Sequence, residues 1–335
     1  MKAYQIGKAY GINSLFAVNI GIPRVMPTQV LIGMKAISLN YRDLLVVNGV
    51  WKPPVGRIPT SDGVGVVLEV GSEVRDLKVG DRVVGLFFPK WVSGKPDHDK
   101  LQGSLGGMHR DGMLQEKMVL GETEVIKVPS YLSDQEACTL PCSALAVWNA
   151  LMEGDPILEG ETILIQGTGS VSLFALQFAL LKRANPIVIS ASEEKLERIR
   201  KLGVKHCFNY KEDPRWEKSV LKITNGRGVD RVVEVVGAGN LNKSIEVVAM
   251  AGTISLIGLL GGFTGEIDTG NIMEKNIRLQ GVLVGSKEMF VRMNETLEST
   301  KLHPIIDHSF PFDEAVDAFT HQEKGNHFGK VCISV

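Results

Sequence analysis

Three observations on the sequence predict an α/β chain of two domains, one rich in short strands and one built on a parallel sheet wrapped by helices. At 335 residues the chain exceeds what one hydrophobic core ordinarily serves. Its first third consists of short β-type segments punctuated by Gly and Pro. From about Thr162 apolar runs alternate with segments of helical period, the pattern of a parallel sheet with crossover helices.

Taken in order, the early strands are Thr28–Ala36, Gly63–Val70 and Arg82–Leu86. The segment Pro89–Gly112 has no clear period, is rich in Gly, Lys and Asp, and predicts a surface loop or lid. The alternating part runs TILI, SVSLFALQFALLKR, PIVIS, EEKLERIRKLG and HCFNY. It continues through a helix near Trp216–Thr224, the strand VDRVVEVV, a helix near Leu241–Met250, and the strands GTISLIG and IRLQGVLVG. Those six strands match the count of a doubly wound dinucleotide-binding sheet; a flavodoxin-like domain would have five. A helix over about Lys287–Ser299, the amphipathic FDEAVDAFTHQEKG and the closing strand FGKVCISV return to complete the first domain.

Composition narrows the partners. Hydrophobic residues at 44% and charged residues at 22% are globular values, which excludes a disordered or fibrous chain. Lys and Arg (37) balance Asp and Glu (38), so the electrostatic footprint of a nucleic-acid binder or polybasic membrane anchor is missing and small molecules are the expected partners. Four cysteines without a CxxC pair predict a reducing, cytoplasmic setting. MKAYQIGKAYG lacks the apolar core of a signal peptide, and no run reaches the ~18 apolar residues of a membrane span.

The sequence is most informative at TILIQGTGSVSLFALQFA, where an apolar strand enters a Gly-rich turn and then a helix. In the turn Gly167, Thr168, Gly169, Ser170 and Val171, Gly167 permits the bend and Gly169 lets backbone approach a pyrophosphate. The helix from Ser170 directs N–H groups at the anion. Ser172 stands in place of the third glycine of GxGxxG. About twenty positions on, where an NAD enzyme places an acid for the ribose 2′-hydroxyl, this chain has Ser190, Ser192 and Lys195. Hydroxyls and a cation there favour the 2′-phosphate of NADP(H) over NAD(H). Two alternatives stay open: Lys195 as a solvated helix position, and Glu193 as the acid on the ribose. Asn209 and Tyr210, ending the third strand, are candidates to flank the adenosine.

At ISLNYRDLLVVNG, GVGVVLEVGSEV with KVGDRVVG, CTLPCSALAVWNAL and the closing HFGKVCI, the chain resembles the medium-chain dehydrogenase/reductase superfamily, in particular its zinc-free, quinone-oxidoreductase-like members. The resemblance covers nearly the whole chain. It implies a GroES-like domain from residues 1–127 and 286–335, a Rossmann domain from 128–285, a cleft between them, and association through the Rossmann domain, commonly as a dimer. It also implies that the nicotinamide end meets Val236, Ile257, Gly258, Leu259 and Leu283, and that Lys330 lies near the pyrophosphate. An exposed strand-end lysine is the alternative for Lys330.

Zinc-dependent relatives use Cys, His and Cys as ligands, leaving one open position. Here those positions read Asn40, Ser61 and Cys142, and Leu86–Val119 holds none of the cysteines of a structural zinc loop. Both zincs are expected to be absent. Asp97, His98, Asp99 and His109 read as a solvated loop rather than a metal site. Without a Lewis acid an alkoxide lacks its stabiliser, so reduction of an activated double bond is the natural chemistry. Asn40, contacting the nicotinamide ribose or the substrate, and Tyr41, offering a phenolic donor, are the candidate orienting groups, and no acid or base is marked. Arg42 with Asp43 is expected as a structural ion pair and Asp62 as support for a turn, while Trp51, Phe87, Phe88 and Trp91 are candidates for an apolar pocket or for packing. The leading expectation is an NADPH-dependent reductase of enones, quinones or related carbonyl compounds. A zinc-free alcohol dehydrogenase using NADP⁺ and a non-catalytic NADPH-binding redox sensor are the alternatives.

Overall fold

The computed structural model describes every residue, Met1–Val335, and the chain forms two compact units. The first comprises Met1–Leu145 and Val284–Val335, the second Ala146–Leu283.

The second unit holds the predicted parallel sheet. Its strands, in spatial order, are His206–Asn209, Asn185–Ser190, Thr162–Gln166, Val229–Glu234, Val248–Leu256 and Arg278–Gly281, every neighbouring pair parallel. Numbered by sequence this is 3-2-1-4-5-6, the doubly wound order, whose switch point lies where Thr162–Gln166 meets Val229–Glu234. Ile163, Leu164 and Ile165 are fully buried, because a central parallel strand is covered on both faces. The helix Ser170–Leu181 is apolar nearly all round and buries Leu173, Phe174, Leu176 and Phe178. By contrast Glu193–Lys201 buries only Leu196 and Ile199, three apart on one stripe.

Two boundaries differ from the sequence expectation. The helix expected to reach Met250 ends at Val247, because Val248 turns extended and begins the fifth strand. The strand read as IRLQGVLVG is only Arg278–Gly281, exposed at all four positions on the sheet edge.

The first unit is built on a mixed seven-stranded sheet. The strand Gln29–Ser38 runs antiparallel to Asp62–Val70, with Ser38 opposite Asp62. On its other side Lys330–Ser334 pairs Cys332 with Ser38, and Leu39 N–H donates to the Val331 carbonyl. This register, in strands buried at most positions such as Ile32, Ile37, Val331 and Ile333, brings residues 38–43, 60–62 and 330–332 side by side. Val128–Leu145, placed by sequence with the nucleotide-binding part, packs with the first unit instead. Ser38 Oγ donates to the Cys138 carbonyl at 3.0 Å, and Cys142 N–H donates to Asp62 Oδ2 at 3.2 Å. Within Pro89–Gly112 there is a short helix, His98–Leu101, capped by the Asp97 side chain.

Candidate active site

In the first unit the three adjoining segments build a buried polar cluster. Asn40 precedes the helix Tyr41–Val47, and its N–H donates to Asp43 Oδ2 at 2.8 Å, the carboxylate closing a capping box. Lys330, 1% exposed, donates from Nζ to the Leu39 carbonyl at 2.9 Å and to Asn40 Oδ1 at 2.7 Å. Ser143 Oγ donates to the same Oδ1 at 3.1 Å. An ammonium has no acceptor, so the carboxamide atom facing it is oxygen. The amide Nδ2 reaches Ser61 Oγ only at 3.5 Å and also faces the Asp62 carboxylate, so it is the donor end of Asn40 and is loosely engaged within the cluster.

Asp62 balances the charge. Its Oδ2 lies 3.8 Å from Lys330 Nζ, and its Oδ1 accepts from Ser61 Oγ at 2.7 Å. Burial pushes the Asp62 carboxyl above its ordinary range, opposed by the Lys330 ammonium and the hydrogen bonds of Asn40 and Ser61. The turn presenting Ser61 is strained: Thr60 has φ +72°, rare for a β-branched residue, and its buried Oγ1 has no partner.

Asp43, fully buried, has its carboxyl pushed up to about 6 by desolvation, with Arg42 at 3.4 Å holding it down. Because the folded value lies above the unfolded one of 3.8, this residue's contribution to stability is complete below pH 3.8 and is lost as pH rises through 6. The loss is about 3 kcal/mol. Unfolding measured from pH 4 to 8 is expected to show wild type losing stability relative to Asp43→Asn as pH rises. Parallel curves would contradict this.

Tyr41 is 40% exposed and takes no part in the cluster. Of the four aromatic candidates, Phe87, Phe88 and Trp91 are buried and pack on one another, with ring centroids 4.7 and 6.4 Å apart. They are packing rather than lining. Trp51 alone of the four borders a cavity.

In the second unit Gly167 has φ +77°, a conformation that favours glycine, and Gly169 is the extended cap of the helix Ser170–Leu181 without a side chain to cap it. Ser172 is more than a small residue. Its Oγ donates to the Gln166 carbonyl at 2.6 Å and ties helix to strand across the turn that carries Thr168 and Val171. Ser190 closes its strand, and Ser192 caps the next helix, accepting from Lys195 N–H at 3.4 Å. Glu193, the alternative ribose acid, is paired with Arg200 at 2.6 Å. Asn209 spends its side chain on its own turn, accepting from Lys211 N–H and donating to Glu212, both at 3.1 Å. Tyr210 is 42% exposed.

The sequence reading missed a buried network beneath the loop of Val236. Gln166 Nε2 donates to Glu234 Oε2 at 2.8 Å and to Ser244 Oγ at 2.8 Å, and Ser244 donates to Glu234. Glu234 Oε1 accepts from Val236 N–H at 2.8 Å and Gly237 N–H at 3.0 Å, while its carbonyl accepts from Ile257 and Gly258 N–H. A side chain at Gly258 would put Cβ 2.2 Å from the Val235 carbonyl oxygen, so two backbone turns meet here. Leu259 follows in the second turn, and Leu283 is exposed beyond the last strand. A carboxylate closing the strand VDRVVE directly after two buried valines was the available signal.

Comparison with known proteins agrees with both units. Residues 26–130 match the alcohol dehydrogenase GroES-like domain and residues 170–299 a family described as zinc-binding dehydrogenase. A zinc-type alcohol dehydrogenase-like protein of Schizosaccharomyces pombe is 39% identical over 97% of this chain and 96% of its own. The 2-methylene-furan-3-one reductase of Solanum lycopersicum is 31% identical over 94% of this chain and 74% of its own. A solved NAD-dependent alcohol dehydrogenase superimposes with TM-score 0.91 at 30% identity, covering 100% of both chains. The chain belongs to the medium-chain dehydrogenase/reductase superfamily and is an NAD(P)-dependent oxidoreductase of that type.

Proposed function

We propose that the protein is a zinc-independent, NADPH-dependent reductase of an enone, quinone or related carbonyl compound. The observation that carries this reading is the Asn40 carboxamide, held through its oxygen by Lys330 and Ser143 so that its N–H₂ is the donor. Asn40, Ser61 and Cys142 do not fit zinc. The Asn40 oxygen already serves an ammonium at 2.7 Å, Ser61 brings a hydroxyl where an imidazole is needed, and burial pushes the Cys142 thiol well up, away from the thiolate that binds metal. NADPH, when bound, supplies a hydride. The protein's part is to stabilise the negative charge that then develops on the acceptor's carbonyl oxygen. Asn40 Nδ2–H is the preset donor, and the buried Lys330 ammonium supplies a positive field in a site of low polarisability. Tyr41, exposed and uncommitted, offers a phenolic donor, and solvent supplies the proton. Consumption of NADPH with enones and quinones, and none of NADP⁺ with simple alcohols, is the expected assay result. The reverse pattern would favour an alcohol dehydrogenase, and tight binding without turnover a sensor.

The preference for NADPH is supported by Ser190, Ser192 and Lys195 at the end of the second strand, and by the engagement of Glu193 with Arg200. Gly167–Val171 would hold the pyrophosphate and Tyr210 a face of the adenine, with Asn209 shaping the turn. Val236, Ile257, Gly258, Leu259 and Leu283 would border the nicotinamide. Lys330 we reassign from the pyrophosphate to the Asn40 cluster, because its ammonium is buried and already spoken for. Lys195→Ala combined with Ser190→Asp is expected to shift the NADPH/NADH ratio of kcat/KM towards NADH by about tenfold or more, the weight of a charge-assisted contact. An unchanged ratio would sink the phosphate assignment. We also infer a homodimer through the second unit, supported by the exposed edge strand Arg278–Gly281 and by Met250 and Met273, 73% and 80% exposed. Light scattering giving a monomer mass would refute it.

A further inference from the structure

We propose that the acceptor carries a carboxylate remote from its reacting bond, and that a cavity of the first unit beside Arg42 binds it; this rests on the reductase reading above. The cavity, about 230 Å³, is bordered by Arg42, Trp51, His98, Gln102, Ser104 and His109 among others, and by no carboxylate. Of the acids nearby in sequence, Asp97 pairs with Lys100 at 3.2 Å, Asp111 with Arg57 at 2.8 Å and Asp43 with Arg42 itself at 3.4 Å, while Asp99 is exposed and does not border the cavity.

Arg42 is fixed in place. Its guanidinium lies over the Phe87 ring at 4.9 Å and near that of Trp51 at 6.0 Å. Nη1 donates to the Leu105 carbonyl at 2.8 Å and more distantly to Asp43, and Nη2 reaches Ser104 Oγ only at 3.5 Å. Five N–H donors are available on a guanidinium, so Nε and Nη2 keep hydrogens for a planar, two-oxygen partner. The floor fits the same purpose. A Cβ on Gly107 would stand 3.0 Å from Arg42 Nη2 and 2.6 Å from Ser104 Oγ, so backbone approaches the guanidinium as closely as a side chain would forbid. His98 and His109 stand exposed on the rim and add donors. Arg42 lies two residues after Asn40, in the first turn of the helix that Asn40 caps. Asp43 at 3.4 Å and the Leu105 carbonyl at 2.8 Å engage Nη1 alone, so a carboxylate in the cavity would take the Nε and Nη2 hydrogens that these bonds leave.

The test uses the full chain and Trp51 as reporter. Succinate is expected to change tryptophan fluorescence saturably and dimethyl succinate to leave it unaltered, with the signal lost in Trp51→Phe. Arg42→Lys, which keeps the charge but not the fork, is expected to weaken succinate about tenfold. His98→Gln with His109→Gln, on the exposed rim where folding is least at risk, is expected to weaken it by a smaller factor. In turnover with NADPH, an enone bearing a terminal carboxylate is expected to exceed its methyl ester about tenfold in kcat/KM. Equal responses to succinate and its ester, or equal kcat/KM for acid and ester, would overturn the proposal while leaving the reductase reading intact. Turnover of neither enone beside saturable succinate binding would instead overturn the reductase reading.

Discussion

Asn40→Ala is expected to lower kcat for an enone by about 10²–10³-fold, the weight of one preset donor to a developing oxyanion. The reason is the way the side chain is held. Lys330 and Ser143 both donate to Oδ1, which turns Nδ2 away from them, with only loose contacts to Ser61 and Asp62, before any acceptor arrives. No reorganisation is then needed when charge develops, and the donor acts against a background of buried groups: Asn40 itself is 4% exposed. Because the residues proposed to bind the nucleotide lie in the second unit, the affinity for NADPH is expected to stay within about twofold. Steady-state kinetics with a cofactor titration separates the two. A variant that loses cofactor affinity and keeps kcat would show Asn40 to be a cofactor ligand instead.

The second large effect belongs to Glu234. Glu234→Gln is expected to destabilise the second unit by about 3 kcal/mol. The native carboxyl group is 0% exposed and accepts from Gln166, Ser244, Val236 N–H and Gly237 N–H. A carboxamide must turn its N–H₂ towards some of these donors, and the buried N–H groups it faces then lose their acceptor. The loop at Val236 is held by the other oxygen of the same carboxyl group, so weaker NADPH binding is expected to accompany the loss. Calorimetry with a binding titration checks both. An unfolding temperature equal to wild type would mean that water or backbone rearrangement satisfies these groups.

How far the sequence spoke can be seen residue by residue. The central strands of the second unit were legible because buried parallel strands are largely apolar runs, as at Ile163–Ile165 and Ile187–Ile189, whereas the exposed edge strand Arg278–Gly281 was legible without its true bounds; Gly167 was legible because a strand-to-helix turn needs its positive φ. Ser172 was legible as a small residue but not as a donor, since its target is a carbonyl six positions away across the turn. Lys330 was read as a surface or phosphate-binding cation. Its true neighbours, Leu39 and Asn40, are brought beside it by strand register between opposite ends of the chain, which no local pattern encodes. The Arg42 cavity was hidden for a related reason: its far wall comes from Leu101–His109, part of the stretch without periodicity. For the four aromatic residues the sequence leaves pocket and packing both open; Phe87, Phe88 and Trp91 pack, and Trp51 borders the cavity.

The central claim, hydride transfer polarised by Asn40 and Lys330 rather than by a metal, meets its most direct test in enone turnover with NADPH by protein treated with a strong chelator. Metal content is measured on the same sample, and zinc is then added back. Full activity at negligible metal content, unchanged by zinc, is the predicted result. Activity that falls with chelation and returns with zinc would contradict it.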